Sequence, residues 1–184
     1  MLDRYVCKSY IEHMSDPRAS NLLGALAVAL GDEVSAATEG VAGHAAASPA
    51  AIVTVGGDPG QTIETLRRAL DLSHSGTVRL LDRLEEEGIV ERRAGKDGRS
   101  AAVFLTAAGK RVYQRILDAR RQSLDAALGH LGAAEKSQFM RLVEKVLFGI
   151  TRSPAHSDHI CRLCELDVCP EETCPVNCAA LARS

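Results

Sequence analysis

Apolar residues return every three to four positions over residues 19–43, where Leu22, Leu26, Leu30 and Val34 form one stripe of "ASNLLGALAVALGDEVSAATEGVAG". That period predicts a long helix, and its Ala-lined stripe suits packing against another helix or a second subunit. A second helix is expected over 48–57, started by Ser48-Pro49 and broken by Gly56-Gly57-Asp58-Pro59-Gly60. A short helix over 61–70 carries Ile63, Leu66 and Leu70 inward. A longer one follows over 73–87, with Ser73 as its N-cap and Gly88 as its C-terminal stop. On that helix Val78, Leu81 and Leu84 point one way, while Ser75, Arg79 and Arg83 point the other. The period then shortens to two: "IVERR" and "AAVFLT" read as strands on either side of "AGKDGRS", whose Gly95 and Gly98 supply the turn. Helical periodicity resumes over 105–131, capped by Thr106 and carrying Val112, Ile116, Leu124, Leu128 and Leu131. It continues over 132–150 with Phe139, Leu142, Val143, Val146 and Leu147. Beyond Ser153-Pro154 the apolar period stops and the cysteine segment begins, and its fourteen-residue loop (161–174) is expected to lack regular helix or strand.

Short helix, tight turn, longer helix, hairpin: this is a helix-turn-helix followed by a wing. The expected fold class is therefore mainly α with a small β-hairpin wing. The chain divides into an N-terminal extension (1–18), a winged-helix domain (19–153) and a tail (154–184). Within the domain, helices over 19–43 and 106–150 flank a DNA-binding lobe over 48–106. Met14 is a second candidate start, which would leave 1–13, with Cys7, as an extension without function.

Composition adds detail. Aromatic residues make up 3% of the chain and Trp is absent, so the core must be built from Ala, Leu, Val and Ile. "MLDRYVCKSYIEHM" has no continuous apolar stretch of the signal-peptide kind. No run of apolar residues is long enough to span a bilayer, and the expected compartment is the cytoplasm. A net charge of −2 by itself argues against a nucleic-acid protein. The distribution argues otherwise: Arg67–Arg121 holds thirteen Lys/Arg against eight Asp/Glu, so the rest of the chain is acidic. A basic middle between acidic flanks suits a DNA-binding centre with separate partner-facing ends, although a solvated surface of mixed charge would look the same.

The stretch "LSHSGTVRLLDRLEEEGIVERR", the Asp97-Gly98-Arg99 tip and the closing "LTAAG" over 105–109 together resemble the MarR family of winged-helix transcriptional regulators. The resemblance follows the element order over about 19–150, is specific over 72–110, and leaves the tail uncovered. It implies a MarR-like obligate homodimer, joined through the first helix and the last two, on a pseudo-palindromic double-stranded DNA operator. It also implies a regulator and not an enzyme. A small-molecule effector between the dimer helices and the DNA-binding lobe is part of the same expectation, although that region lacks the aromatics that would suit a flat phenolic compound. The physical case for the contact residues stands beside it. A recognition helix inserts its N-terminal turn into the major groove, where small polar groups reach base edges and phosphates. His74, Ser75 and Thr77 occupy that turn, Gly76 allows close backbone approach, and Arg79 lies one turn after Ser75. At the hairpin tip Arg99 is placed to enter the minor groove, Asp97 to hold its guanidinium, and Lys96 to touch phosphate. Arg83 is as readily a solvated residue paired with Glu87, and Arg92 and Arg93 a shield for an edge strand.

Five of the six cysteines crowd into "CRLCELDVCPEETCPVNC", residues 161–178. Cys161-x2-Cys164-x4-Cys169-x4-Cys174 has the spacing of a zinc knuckle with Cys169 in the position of its histidine. Four thiolates in so short a segment suit one tetrahedral zinc, with an iron–sulfur cluster as the alternative. Cys178 is a spare, and His156 and His159 are upstream substitutes. The other readings are a thiol switch, a dithiol oxidoreductase using Cys161-x-x-Cys164, and a knuckle that binds a protein partner.

Overall fold

A computed structural model describes residues 16–43, 47–95 and 101–183. The elements in order are α1 (Asp16–Ala42), α2 (Ala47–Gly57), β1 (Gln61–Thr62), α3 (Ile63–Leu70), α4 (His74–Glu86), β2 (Val90–Ala94), β3 (Ala101–Leu105), α5 (Ala107–Leu128), α6 (Ala133–Ile150), α7 (Pro154–Cys161) and α8 (Pro175–Leu181). The expected fold class is the one observed: mainly helical, with a small antiparallel sheet. That sheet has three strands in the order β1-β3-β2, one more than the hairpin. β1 is two residues long, too short for alternation to mark it. It pairs Gln61 with Val103, and Gly60, at φ +92, donates its N–H to the Val103 carbonyl at 2.9 Å.

The core sits where α2, α3, α4, the sheet and α5 meet. Ile52, Leu66, Leu81, Leu84, Val90, Val103 and Ile116 are all essentially inaccessible there. Aliphatic side chains of this size each contribute about 1.5–3 kcal/mol on full burial. Capping fixes the element boundaries. Thr62 is extended, so α3 starts at Ile63 and not at Gln61, and the Thr62 hydroxyl accepts from the Thr65 N–H. Ser73 caps α4 as expected, accepting from the Gly76 N–H at 3.1 Å, and Gly88 ends that helix at φ +69. The Leu-Thr-x-x-Gly sequence has a mechanical basis. The Thr106 hydroxyl donates to the Gly88 carbonyl at 2.6 Å and accepts from the Gly109 N–H at 3.0 Å, which locks the start of α5 onto the end of α4. A Cβ on Gly109 would lie 2.0 Å from the Ile89 carbonyl oxygen, so only glycine fits.

α1 packs along α5, yet Leu22, Leu23, Leu26 and Val28 remain exposed. α6 has no buried residue at all, and Met140, Leu142, Val146, Phe148 and Ile150 lie on its open surface. Between Cys161 and Cys174 the loop holds a 3-10 turn and no α-helix or strand, as expected, but a helix flanks it on each side. Ser153 caps α7, Pro154 sits in its first turn, a 3-10 turn covers Leu166–Val168, and α8 follows Cys174-Pro175. Ser-Pro was a helix start at residue 48, and the same signal at 153–154 marks α7. The tail is packed: Val176, Ala179 and Ala180 are buried against α6 and α7, and Leu163 joins the main core.

Candidate nucleic-acid interface and thiol cluster

The turn between α3 and α4 is braced from both sides. Arg67 holds Glu64 through two bonds of 2.9 Å and reaches the Leu72 carbonyl at 3.5 Å. This guanidinium keeps the Glu64 carboxyl below its usual range. Asp71 takes the left-handed conformation at φ 53, which short polar residues tolerate best after glycine. α4 then begins with its N-terminal turn toward solvent: Ser73, His74 and Ser75 are exposed, and so is Arg79. Arg79 makes no ion pair among the described residues. This is the surface the sequence predicts for groove insertion. Gly76 is half-buried, and a Cβ there would crowd the Ser73 hydroxyl at 3.1 Å. Thr77 is the correction. It is fully buried, and its hydroxyl donates to the Ser73 carbonyl at 3.1 Å, so it anchors the helix and does not face outward.

Among the described residues Arg83 makes no ion pair with Glu87. It donates to the buried Ser48 hydroxyl at 2.9 Å and ties α4 to α2. Arg92 does more than shield an edge. It bridges Asp82 at 2.8 Å and Glu85 at 2.7 Å, fastening β2 to the recognition helix. A cation two residues into a strand, with two carboxylates a helical turn apart just upstream, is a signal that could have found this brace. Arg93 lies over the Phe104 ring at 4.6 Å and pairs with Glu91 on the exposed edge. Lys96, Asp97 and Arg99, the expected wing-tip contacts, lie outside the described residues, as does Cys7.

A cavity of about 400 Å³ opens between α2, β3 and α5, lined by Phe104, Tyr113, Arg93 and Lys110 among others. Two of the chain's six aromatic rings face it, so the expectation that this region lacks aromatics is corrected.

The tail brings cysteines together more loosely than a closed metal site would. The Cys164 N–H closes a turn on the Cys161 carbonyl at 2.8 Å. Cys164, with burial and the other thiols, pushes Cys161 up, while Cys161 and the guanidiniums of Arg120 and Arg162 pull Cys164 down to about 6. Cys178 stands apart, its Sγ 3.4 Å from the Glu172 carbonyl. Among the described residues no three His, Cys, Asp or Glu side chains converge within reach of one ion. His156 accepts from the Arg152 N–H, and His159 contacts the Ala69 carbonyl at 3.0 Å, so both are engaged elsewhere. No described helix is long and apolar enough to cross a membrane.

Residues 48–100, which contain the turn, α4 and the start of the wing, match the MarR family. The chain is 31% identical over 86 residues to an uncharacterized HTH-type transcriptional regulator, YwhA, of Bacillus subtilis (strain 168); the match spans 46% of this chain and 62% of that protein. Among solved structures it resembles a MarR-family regulator from Silicibacter pomeroyi at 28% identity and a TM-score of 0.55, covering 68% of this chain and 87% of the other. It also resembles the Mycobacterium tuberculosis MarR-family protein Rv2887. Against that protein's DNA complex the identity is 24%, the TM-score 0.57 and the coverage 69% and 95%. Against its complex with p-aminosalicylic acid the identity is 28%, the TM-score 0.53 and the coverage 69% and 96%. YwhA and the Silicibacter pomeroyi protein are both described as transcriptional regulators. With the capped recognition helix and the hairpin in agreement, the chain has a winged-helix fold, and within it residues 48–100 match the MarR family.

Proposed function

We propose that the protein is a sequence-specific, double-stranded-DNA-binding transcriptional regulator that acts as a homodimer. The observation that carries this reading is the N-terminal turn of α4. His74 and Ser75, with Arg79 one turn on, stand exposed on α4, whose entry turn Arg67 braces and whose body Arg83 and Arg92 tie to α2 and β2. Rigid placement of a few polar groups is what groove insertion needs. The unpartnered apolar faces of α1 and α6 supply the reason for two copies, since exposed patches of this kind mark association surfaces. Lys96, Asp97 and Arg99 complete the proposed contact set from the sequence. The test is selection of duplexes from a random-sequence pool. Enrichment of a two-fold symmetric site supports the reading, and enrichment of none contradicts it.

Two finer elements belong to the same proposal. A small aromatic anion is the effector class that the Phe104–Tyr113 cavity suits, because two rings and the cations Arg93 and Lys110 line it. Rv2887 is known with p-aminosalicylic acid, a molecule of that class. Cys161, Cys164, Cys169 and Cys174 hold a metal centre, zinc or alternatively an iron–sulfur cluster. The knuckle spacing and the tight Cys161–Cys164 turn support this. Metal binding would then draw Cys169, now exposed, and Cys174 onto the pair.

A further inference from the structure

We propose that the tail is a strut: α7 and α8 fix the angle between α6 and the DNA-binding lobe, and so set the separation of the two half-sites that a dimer reads. The inference rests on the homodimer reading above and adds which residues determine the spacing of the operator. It does not depend on a metal at the cysteines.

α6 carries an open apolar strip and no buried residue, and among the described elements its main partner is α8. The corner that follows α6 is built to hold its angle. Thr151 is buried there, and its hydroxyl donates to the Leu147 carbonyl at 2.8 Å. One residue on, the Arg152 N–H donates to Nδ1 of His156 at 3.2 Å, and the Ser153 hydroxyl caps α7 by accepting from the His156 N–H at 3.2 Å. After the 161–174 loop the chain returns, and α8 packs against both α6 and α7. Its buried residues are Val176, Ala179 and Ala180, and the two small alanines let the helices approach closely. Arg183, just past its end, lies over the Phe148 ring of α6 at 5.1 Å. α8 thus fills the corner between α6 and α7 as a gusset does.

α7 in turn is seated on the lobe. It packs along α3, and His159 places Nδ1 3.0 Å from the Ala69 carbonyl, in the last turn of α3, where helix carbonyls lack intrahelical partners. The Arg162 carbonyl accepts from the Thr54 hydroxyl of α2 at 3.4 Å, and Leu163 packs on the main core. Ala69 precedes Ser73, the cap of α4, by four residues. The path from α6 to the recognition helix therefore runs through two joints, the gusset and the seat of α7 on α3. α5 supplies a separate path, since it packs on α2 in the lobe and on α1 outside it. A single helical connection bends along its length, and a second one triangulates the frame and removes that freedom. Arg121 of α5 pairs with Glu165 at 3.3 Å, so the two paths are also tied to each other. For a dimer held through α1 and α6 the consequence is geometric. Two recognition helices fixed to one frame meet half-sites at one separation, because each added base pair moves a half-site by about 3.4 Å and turns it by about 34°.

The test uses full-length protein and a panel of duplexes. Each carries the two half-sites of a duplex selected from a random-sequence pool by the wild type, at the selected separation or one to three base pairs closer or farther apart. Kd is measured at fixed salt, with circular dichroism and light scattering on the same samples. His159→Ala opens the seat of α7 on α3, and Val176→Ala with Arg183→Ala in one chain loosens the gusset. The wild type should favour the selected separation over one two base pairs longer by about tenfold, within the range of ordinary coupling energies, and in both variants that preference should fall below about threefold. Both variants should stay dimeric with wild-type helicity. Ile52→Val, which removes a buried methyl from the core without touching the tail, should lose stability yet keep the wild-type preference, and so separates position from stability. A wild type indifferent to separation, or a variant of either joint that keeps the wild-type preference, would overturn the strut and leave the DNA-binding reading standing. A variant of either joint that falls to monomer mass would overturn it too, by placing the tail in the dimer contact. A wild type that is monomeric, or that selects no symmetric site, would overturn both.

Discussion

Arg79 is the residue whose surroundings speak most directly for DNA contact, because the other cations near it are committed. Arg67 holds Glu64, Arg83 holds Ser48 and Arg92 holds Asp82 and Glu85. Arg79→Ala should cost about 1–3 kcal/mol of operator binding if the guanidinium meets a base edge. Its unfolding free energy should stay within about 0.5 kcal/mol of wild type, as expected of an exposed site. Fluorescence anisotropy with the selected duplex, beside a urea titration, reads both. Arg99→Ala, argued from its place at the hairpin tip, should lose a similar amount, and an unchanged Kd would remove the wing from the interface. Gly109→Ala makes the opposite prediction. A methyl 2.0 Å from the Ile89 carbonyl forces backbone apart, so urea denaturation should show a loss of at least about 1–3 kcal/mol. At this scale the caps were legible, since Ser73 and Thr106 act locally. Thr77 was not. Its hydroxyl is of the same type as that of Ser75, and only the packing of α4 decides that one is buried and the other exposed.

The elements show where local pattern suffices and where it does not. α1, α2, α4, α5 and α6 follow from apolar period and breakers, and their observed ends lie within a few residues of the expected ones. β1 escaped because two residues carry no alternation; its place is set by pairing with β3, a contact distant in sequence. α7 and α8 escaped because clustered cysteines mask the period, although Ser153-Pro154 and Cys174-Pro175 both announce a helix start. The open face of α6 yields the sharpest prediction at this level. Val146→Glu places a charge on an exposed strip that includes Leu142 and Ile150. The variant should retain wild-type helicity by circular dichroism yet fall to monomer mass by light scattering at micromolar concentration. A wild-type protein already monomeric under those conditions would defeat the two-copy arrangement.

For the whole molecule, three arginine braces, two capped helices and one sheet hold α4 in place, while the tail footholds at Ala69, Thr54 and the core reach the same lobe from behind. Its overall charge of −2 gives no hint of this, because acidic flanks hide a basic middle. The central claim is that this middle binds DNA as a symmetric pair. The measurement that tests it most directly is an equilibrium titration of the selected duplex across a series of salt concentrations. A winged-helix homodimer predicts two chains per duplex and log Kobs falling linearly with log salt, at a slope of several units set by the phosphates contacted. Saturation at one chain per duplex, or an affinity indifferent to both salt and sequence, would contradict it.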